Sequence, residues 1–338
     1  MGKVFLFRKD AAVLLLSLWS LSFLTILAVS IGLGARQRIV MLKRLESRSQ
    51  VRAAVQAGAK KAIAVLTDDV ETSGVFPSLS AKLRRHNNSS DFSEIMVAGL
   101  KVQVDYQLDP VAGSGFLFGL ADEQAKINLN TSDRTVLSRL LSLVLGLMTD
   151  EAQTLADDIL DWRDYGMRSA QGFFSDSYYQ NLDSPYPMKE SPFERLDELL
   201  LVKGMNAEKF RKLAAYLTIY GNGRVNINTA SRTVLLALGL EAMVTDRILQ
   251  ARRGKDGLEA TADDHIFLRS FDVAADVGKL VGLEEDSARQ IDALNSRGII
   301  GVESTVYSFR SRTPDAENAE IFGVLDVLTG KVELWVQK

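Results

Sequence analysis

The chain has 338 residues, 46% apolar and 25% charged, with a formal net charge of −3, a composition suited to a globular protein of about two domains. It contains no cysteine and two histidines, His86 and His265, which excludes disulfide and thiolate chemistry and argues against a His-based triad or a histidine-rich zinc site. The near-neutral charge balance supplies no global field for nucleic acid.

Residues 11–35, AAVLLLSLWSLSFLTILAVSIGLGA, carry no charge. At about 1.5 Å per residue this run crosses a bilayer core of roughly 30 Å, and it contains Leu15 and Trp19. Arg8 and Lys9 before it are consistent with a cytoplasmic N-terminus, although Arg36, Arg38, Lys43 and Arg44 follow closely. A cleaved signal is the rival reading, but the run is longer than a usual signal core and no A-x-A site ends it. The pattern then continues as a helix to Leu66, with an apolar stripe at Ile39, Leu42, Leu45, Val55, Ala59, Ile63 and Leu66. Residues 67–91 read as a polar, loop-rich connection.

Residues 98–108 alternate as a half-buried strand, and 115–121 form a second strand candidate. A helical block follows from 131 to 300. Strands return after 304, as TVYSFRSRT, EIFGVLDVL and KVELWVQK, the last two joined at Thr329-Gly330. The order predicts an α+β fold: a long N-terminal helix plus an antiparallel sheet, with a large all-α, helix-hairpin-helix-like (SAM-like) domain inserted between strands. The expected divisions are a 1–10 leader, an 11–35 transmembrane part, a sheet domain in two pieces (36–130 and 301–338) and the 131–300 insert.

Two short strings bracket the logic of that insert. INLNTSDRTVL at 127–137 recurs as VNINTASRTVL at 225–235, 98 residues later. Each predicts two inward apolar side chains followed by a helix start at Thr131 or Thr229, with Asp133 favourable near the first helix's positive end. Apolar–glycine–apolar hairpins at Gly146, Gly204, Gly239 and Gly282 suggest two related helical units of about 90 residues each. Helix-hairpin-helix elements raise DNA binding as an alternative, a membrane-tethered receptor of the competence type. Asp150-Glu151, Glu208, Glu241 and Glu284-Glu285-Asp286 follow the hairpins and would repel phosphate, and no basic stripe accompanies them. No nucleophile–base arrangement, P-loop or dinucleotide fingerprint is present, leaving a membrane-anchored hydrolase as a weaker third reading.

Acidic clusters offer hard oxygen ligands. Asp256, Glu259, Asp263 and Asp264 lie in one turn-rich loop without EF-hand spacing, and Asp157, Asp161 and Asp164 share a helix face beside Asp158. Each cluster reads either as a solvated, ion-paired surface or as a calcium site. His265 reads as a surface residue and Trp162 and Trp335 as core. Phe173, Phe174, Tyr178 and Tyr179 read as core or as an exposed binding patch.

The NLN and NIN strings, the Asp161-Trp162-Arg163-Asp164 box, Asp176-Ser177-Tyr178-Tyr179, Phe193 with Leu196-Asp197-Glu198-Leu199, Val202-Lys203-Gly204-Met205 and the Arg224–Thr229 run occur in one order. In these the chain resembles the general secretion pathway protein K family, the large minor pseudopilins of type II secretion systems. The resemblance implies a non-enzymatic, single-pass inner-membrane protein with a periplasmic body. It would cap the pseudopilus tip with two other minor pseudopilins, proteins I and J, help prime assembly, and meet secreted substrates or the outer-membrane secretin. It also implies calcium in the inserted domain, and processing by the prepilin peptidase between Asp10 and Ala11, where the family usually has glycine before the cut. Leu15 takes the fifth mature position, where most pilins carry a glutamate for a neighbour's amine. A subunit with no neighbour above it can dispense with that buried acid.

Overall fold

The structure, a computed structural model, describes residues 6–73, 89–111, 113, 115–164, 176–258, 263–314 and 319–337. Two compact units divide the chain, Met1–Ala53 and Ala54–Lys338. Helix α1 spans Leu6–Ser73. It contains no proline and only Gly32, Gly34 and Gly58 as glycines, and Gly74 and Pro77 follow it in sequence, the residues that end helices. It therefore runs beyond Leu66, where the sequence suggested a polar connection; residues 74–88 of that connection lie outside the described residues. In the first unit the helix is exposed and contains an apolar 18-residue window of mean hydropathy 2.3, none of it buried. Its hydroxyls turn inward on the helix's own carbonyls: Ser17 on Leu14 at 2.9 Å, Ser20 on Leu16 at 2.9 Å, Ser22 on Leu18 at 2.8 Å and Thr25 on Ser22 at 2.8 Å. These four hydroxyls are thus satisfied within the helix itself, as a lipid environment favours.

The second unit is built on a seven-stranded sheet. A one-turn helix α2 (Ser89–Phe92) leads into β1 (Ile95–Val97) and β2 (Leu100–Gln107). Ala98 (φ +50°) and Gly99 (φ +81°) make the tight turn between them, a hairpin geometry with both central residues left-handed. The single strand expected over 98–108 is thus a strand that begins only at Leu100. Likewise 115–121 splits into β3 (Phe116–Phe118) and β4 (Ala121–Asp122), separated at Gly119 (φ +136°).

Ile127–Asn128 is β5, Leu217–Thr218 β6, Val225–Asn226 β7 and Ile300–Gly301 β8. The chain returns to the main sheet with β9 (Val306–Arg312), β10 (Glu320–Asp326) and β11 (Lys331–Gln337). The order is β1-β2-β9-β10-β11, with β3 on β2 and β4 on β9, and every pair in this sheet is antiparallel. Gln103 faces Arg312 and Asp105 faces Arg310. Strands about 200 positions apart in the chain therefore share one ladder, and everything between β4 and β9 is an insertion.

Residues 54–66 of α1 lie on one face of this sheet. Val55, Ala59, Ala62, Val65 and Leu66 are buried with Val104, Leu120, Tyr307, Phe309, Ile321 and Leu325. Each large side chain here contributes roughly 1.5–3 kcal/mol by leaving water. Small residues let the helix come close. A Cβ on Gly58 would collide with the Ser311 and Val102 side chains, and Ser311 Oγ donates to the Val55 carbonyl at 2.8 Å.

The insertion holds α3 (Arg134–Leu145), α4 (Thr149–Arg163), α5 (Asp176–Gln180), α6 (Ala207–Leu213), α7 (Arg232–Ala237), α8 (Ala242–Arg252), α9 (Val273–Val281) and α10 (Glu285–Ser296). Short 3-10 turns occupy Leu196–Leu201 and Ser270–Asp272. One apolar core runs through it, from Ile127 and Leu129 to Ile300 and Val302. The block is not all helix. Each recurrent string pairs in parallel with the strand that closes its own unit: Ile127 with Leu217 and Asn128 with Thr218, then Val225 with Ile300 and Asn226 with Gly301. Alternation buries Ile127 and Leu129, or Val225 and Ile227, and leaves the backbone edge free to pair. Periodicity cannot reveal a two-residue pair of that kind, because its partner is 90 residues away in the first unit and 75 in the second.

Candidate functional site

The two strings build the same local machine twice. The helices that follow begin later than Thr131 and Thr229: the caps are Asp133, whose Oδ1 accepts from Val136 N at 2.8 Å, and Ser231, whose Oγ accepts from Val234 N at 3.2 Å. Thr131 and Thr229 instead sit in the preceding turn, their amides bonded to the Asn128 and Asn226 carbonyls. Asn128 Oδ1 accepts from Asn130 N at 2.8 Å, as Asn226 Oδ1 accepts from Asn228 N at 3.0 Å. Asn130 then grips both backbone groups of Phe193, at 2.8 and 2.9 Å, and Asn228 grips those of Phe267 at the same distances.

A buried or half-buried arginine completes each copy. Arg163 Nη1 donates to the Leu129 and Ser132 carbonyls, both at 2.8 Å; Arg252 Nη1 donates to those of Ile227 at 3.1 Å and Ala230 at 2.7 Å. The acceptors are equivalent positions, 98 residues apart. These clamps were missed in reading the chain, although I-L-x-x-R at 159–163 and 248–252 and F-x-R at 193–195 and 267–269 carried the signal. The string asparagines are thus fully used in holding loops to helix starts, which is scaffolding.

Between sheet and insertion lies a buried polar joint. Asp122, 8% exposed on β4, accepts at one carboxylate oxygen from Asn226 Nδ2 (2.9 Å), Thr229 Oγ1 (2.5 Å) and Ser304 Oγ (2.5 Å), and at the other from Gln124 N (2.7 Å). Burial pushes its carboxyl above the ordinary range, outweighing the hydrogen bonds that pull it down. Nearby Glu123 is held below the usual range. Burial would raise it, but the Lys126 ammonium at 2.5 Å, with Ser308 and Thr218, outweighs that.

The acidic loop after α8 gathers Asp256, Asp263 and Asp264, with one oxygen from each lying within 4.8 Å of the others. Glu259 lies outside the described residues. Asp263 Oδ2 accepts the amides of Lys255 (2.7 Å) and Asp256 (3.2 Å), closing the loop, and Gly254 (φ +62°) leaves room where a Cβ would strike the Asp263 backbone. Three convergent hard oxygens fit a cation such as calcium.

On α4 the acids take separate partners. Asp157 pairs with Arg134 at 2.5 Å, Asp158 with Lys203 at 3.6 Å and Asp164 with Arg163 at 2.7 Å, while Asp161 is 5% exposed. Burial raises the Asp158 carboxyl against the pull of Lys203. Among the described residues only the 256–264 loop brings three acids within ligand distance of one another.

Asp10 and Ala11 both lie within α1, and Leu15 and Trp19 are exposed on it. Tyr179 is buried against Trp162 and Tyr186, Tyr178 is exposed, and Phe173 and Phe174 lie outside the described residues. Trp162 is core, but Trp335 is 41% exposed, because β11 is the sheet's edge strand. His265 is half-buried, its ring edge-on to Phe267. The four glycine hairpins all join helices, and their acids lie where phosphate would need to approach: Asp150 and Glu151 in the first turn of α4, Glu208 in that of α6, Glu241 capping α8 and Glu284 capping α10.

Comparison with known proteins points one way. The family model described as type II secretion system (T2SS), protein K, matches residues 117–222. The type II secretion system protein K of Aeromonas hydrophila is 34% identical over 122 residues, a stretch covering 33% of this chain and 37% of that protein. In the crystal structure of the GspK-GspI-GspJ complex from the enterotoxigenic Escherichia coli type 2 secretion system, one chain matches at a TM-score of 0.56 and 18% identity, over 87% of this chain and 99% of that one. At that identity the last likeness speaks for the fold.

Proposed function

We propose that this chain is a minor pseudopilin of the type II secretion system protein K family, whose model matches residues 117–222. It is anchored in the inner membrane by the apolar part of α1, with its body in the periplasm, and it does no catalysis. It assembles with the two other minor pseudopilins, proteins I and J, caps the pseudopilus tip and helps initiate assembly. The observation that carries this reading is the single sheet formed by strands before and after the insertion, in a chain that opens with a membrane-length helix. That architecture matches a chain in the crystal structure of a GspK-GspI-GspJ complex.

The apolar stripe supports a packing role. Val55, Ala59 and Leu66 are buried on the sheet, whereas Ile39, Leu42 and Leu45 stand 54%, 64% and 52% exposed, a surface suited to neighbouring pseudopilin helices. The insertion, longer than the sheet domain it interrupts, supplies bulk that bars a further subunit from adding above. Asp256, Asp263 and Asp264, with Glu259, would hold calcium and brace the loop, and the prepilin peptidase would cut between Asp10 and Ala11. Secreted substrates and the secretin are the remaining contacts of such a tip.

The test is co-expression of the full chain with the I and J pseudopilins of its own secretion system, followed by detergent extraction and affinity purification. A stoichiometric ternary complex is expected. Recovery of this chain alone, under conditions where I and J remain associated with each other, overturns the reading.

A further inference from the structure

A second feature of the insertion lies away from the acidic loop. Between the two helical units is a cavity of about 290 Å³ whose polar lining includes Thr131, Ser132, Asp133, Asn222, Arg224 and Arg297. Asp133 is engaged on both oxygens, capping α3 through one and facing Arg297 Nη2 at 3.4 Å through the other. Asn222 Oδ1 accepts from Gln124 Nε2 at 3.1 Å and Arg224 N at 3.0 Å, which leaves the Asn222 amide group as a donor. Ser132 Oγ is buried with no hydrogen-bond partner. Arg224 makes no ion pair among the described residues. Two arginines against one aspartate give the cavity a net charge of +1.

The internal repeat says what such a place accepts. In the second unit, Asn226 and Thr229 hold the carboxylate of Asp122 at 2.9 and 2.5 Å. Their equivalents 98 residues earlier are Asn128 and Thr131. Asn128 spends its amide on the Tyr220 carbonyl at 2.8 Å, but Thr131 borders the cavity, flanked by Gly223, whose missing Cβ leaves room for the threonine side chain. Among the described residues no carboxylate bonds to Thr131 as Asp122 does to Thr229.

We propose that this cavity is a carboxylate-binding site, the first unit's open counterpart of the position that Asp122 fills in the second. Arg224 supplies the charge, and the hydroxyls of Ser132 and Thr131 and the amide of Asn222 supply neutral donors. A singly charged carboxylate matches the net +1, whereas a phosphate dianion meets Asp133 with excess charge. The carboxylate is either a free organic acid or an acidic side chain of a docking protein, and the two are separable.

The probes are sodium acetate and the peptide acetyl-Gly-Glu-Gly-amide, followed by saturation-transfer NMR on the full chain in detergent micelles, with inorganic phosphate as competitor. Saturable binding in the millimolar range is expected. Arg224→Gln should weaken it about tenfold and Thr131→Val about threefold, with melting temperature unchanged, while Lys212→Gln, on α6 outside the cavity, leaves it intact. Tighter binding of the peptide identifies a side-chain ligand, and equal or tighter binding of acetate a free acid; both support the site. Absence of saturation up to about 50 mM, equal binding by all three variants, or displacement by phosphate at a lower concentration than the carboxylate overturns it.

Discussion

Single side chains in this molecule mostly hold backbone. Asn228 satisfies the amide and carbonyl of Phe267 and the carbonyl of Val302 from a buried position. Replacing it with alanine strands those groups away from water, so Asn228→Ala should cost about 2–4 kcal/mol in urea denaturation. Asn130→Ala, at a half-buried position that solvent can reach, should cost less. Asp122 carries a pH signature of definite sign. Its folded carboxyl is raised above the ordinary 3.8 by burial, so ionisation is harder in the folded chain than in the unfolded one. Its contribution is fully present below the unfolded value and is lost as pH rises through the folded value. Stability of the wild type relative to Asp122→Asn should therefore fall from about pH 4 upward, levelling once the folded carboxyl has ionised. A difference that grows with pH would contradict the burial-dominated shift.

Among elements, the contact of α1 with β9 is set by the absence of a side chain. Gly58 lets Ser311 and Val102 touch the helix. Gly58→Val should destabilise the second unit by about 1–3 kcal/mol through overpacking, read as a lower melting temperature. The repeat was legible in sequence. Its strings, hairpin glycines and apolar faces stand out as pattern, because local chemistry dictates turns and caps. The cap positions did not, since Asp133 and Ser231 compete with equally suitable threonines two residues earlier. Which residue caps depends on whether the threonine is already held in the Asn–Thr turn.

The whole molecule combines a membrane-length helix, a sheet closed by its own C-terminal strands and a duplicated insertion. Two outcomes belong at this scale. If the acidic loop holds calcium, the ion should raise the melting temperature by linkage, about 2.7 kcal/mol at a hundred times its dissociation constant, and EDTA should reverse the shift. Asp263→Asn should abolish the response, because Asp263 both faces the cluster and closes the loop through two amides. If Ile39, Leu42 and Leu45 meet neighbouring helices, replacing all three with serine should reduce recovery of the complex with the I and J pseudopilins. The melting of the second unit should stay unchanged, since these side chains lie outside it.

By itself the sequence determined what is local or periodic: an uncharged run of membrane length, strands by alternation, helices by their stripes, and a motif written twice. It also contained the acidic loop as a cluster of neighbours. Only the tertiary structure decided that Arg163 and Arg252 close equivalent turns, that β5 and β7 pair with β6 and β8, and that Asp122 sits on the second string while the first borders a cavity. Trp335 illustrates the limit, an aromatic with a core residue's chemistry left partly in water because β11 lies at the edge of the sheet. Propensity acts over a few residues, whereas partner choice and burial depend on which distant surfaces the closed chain brings together.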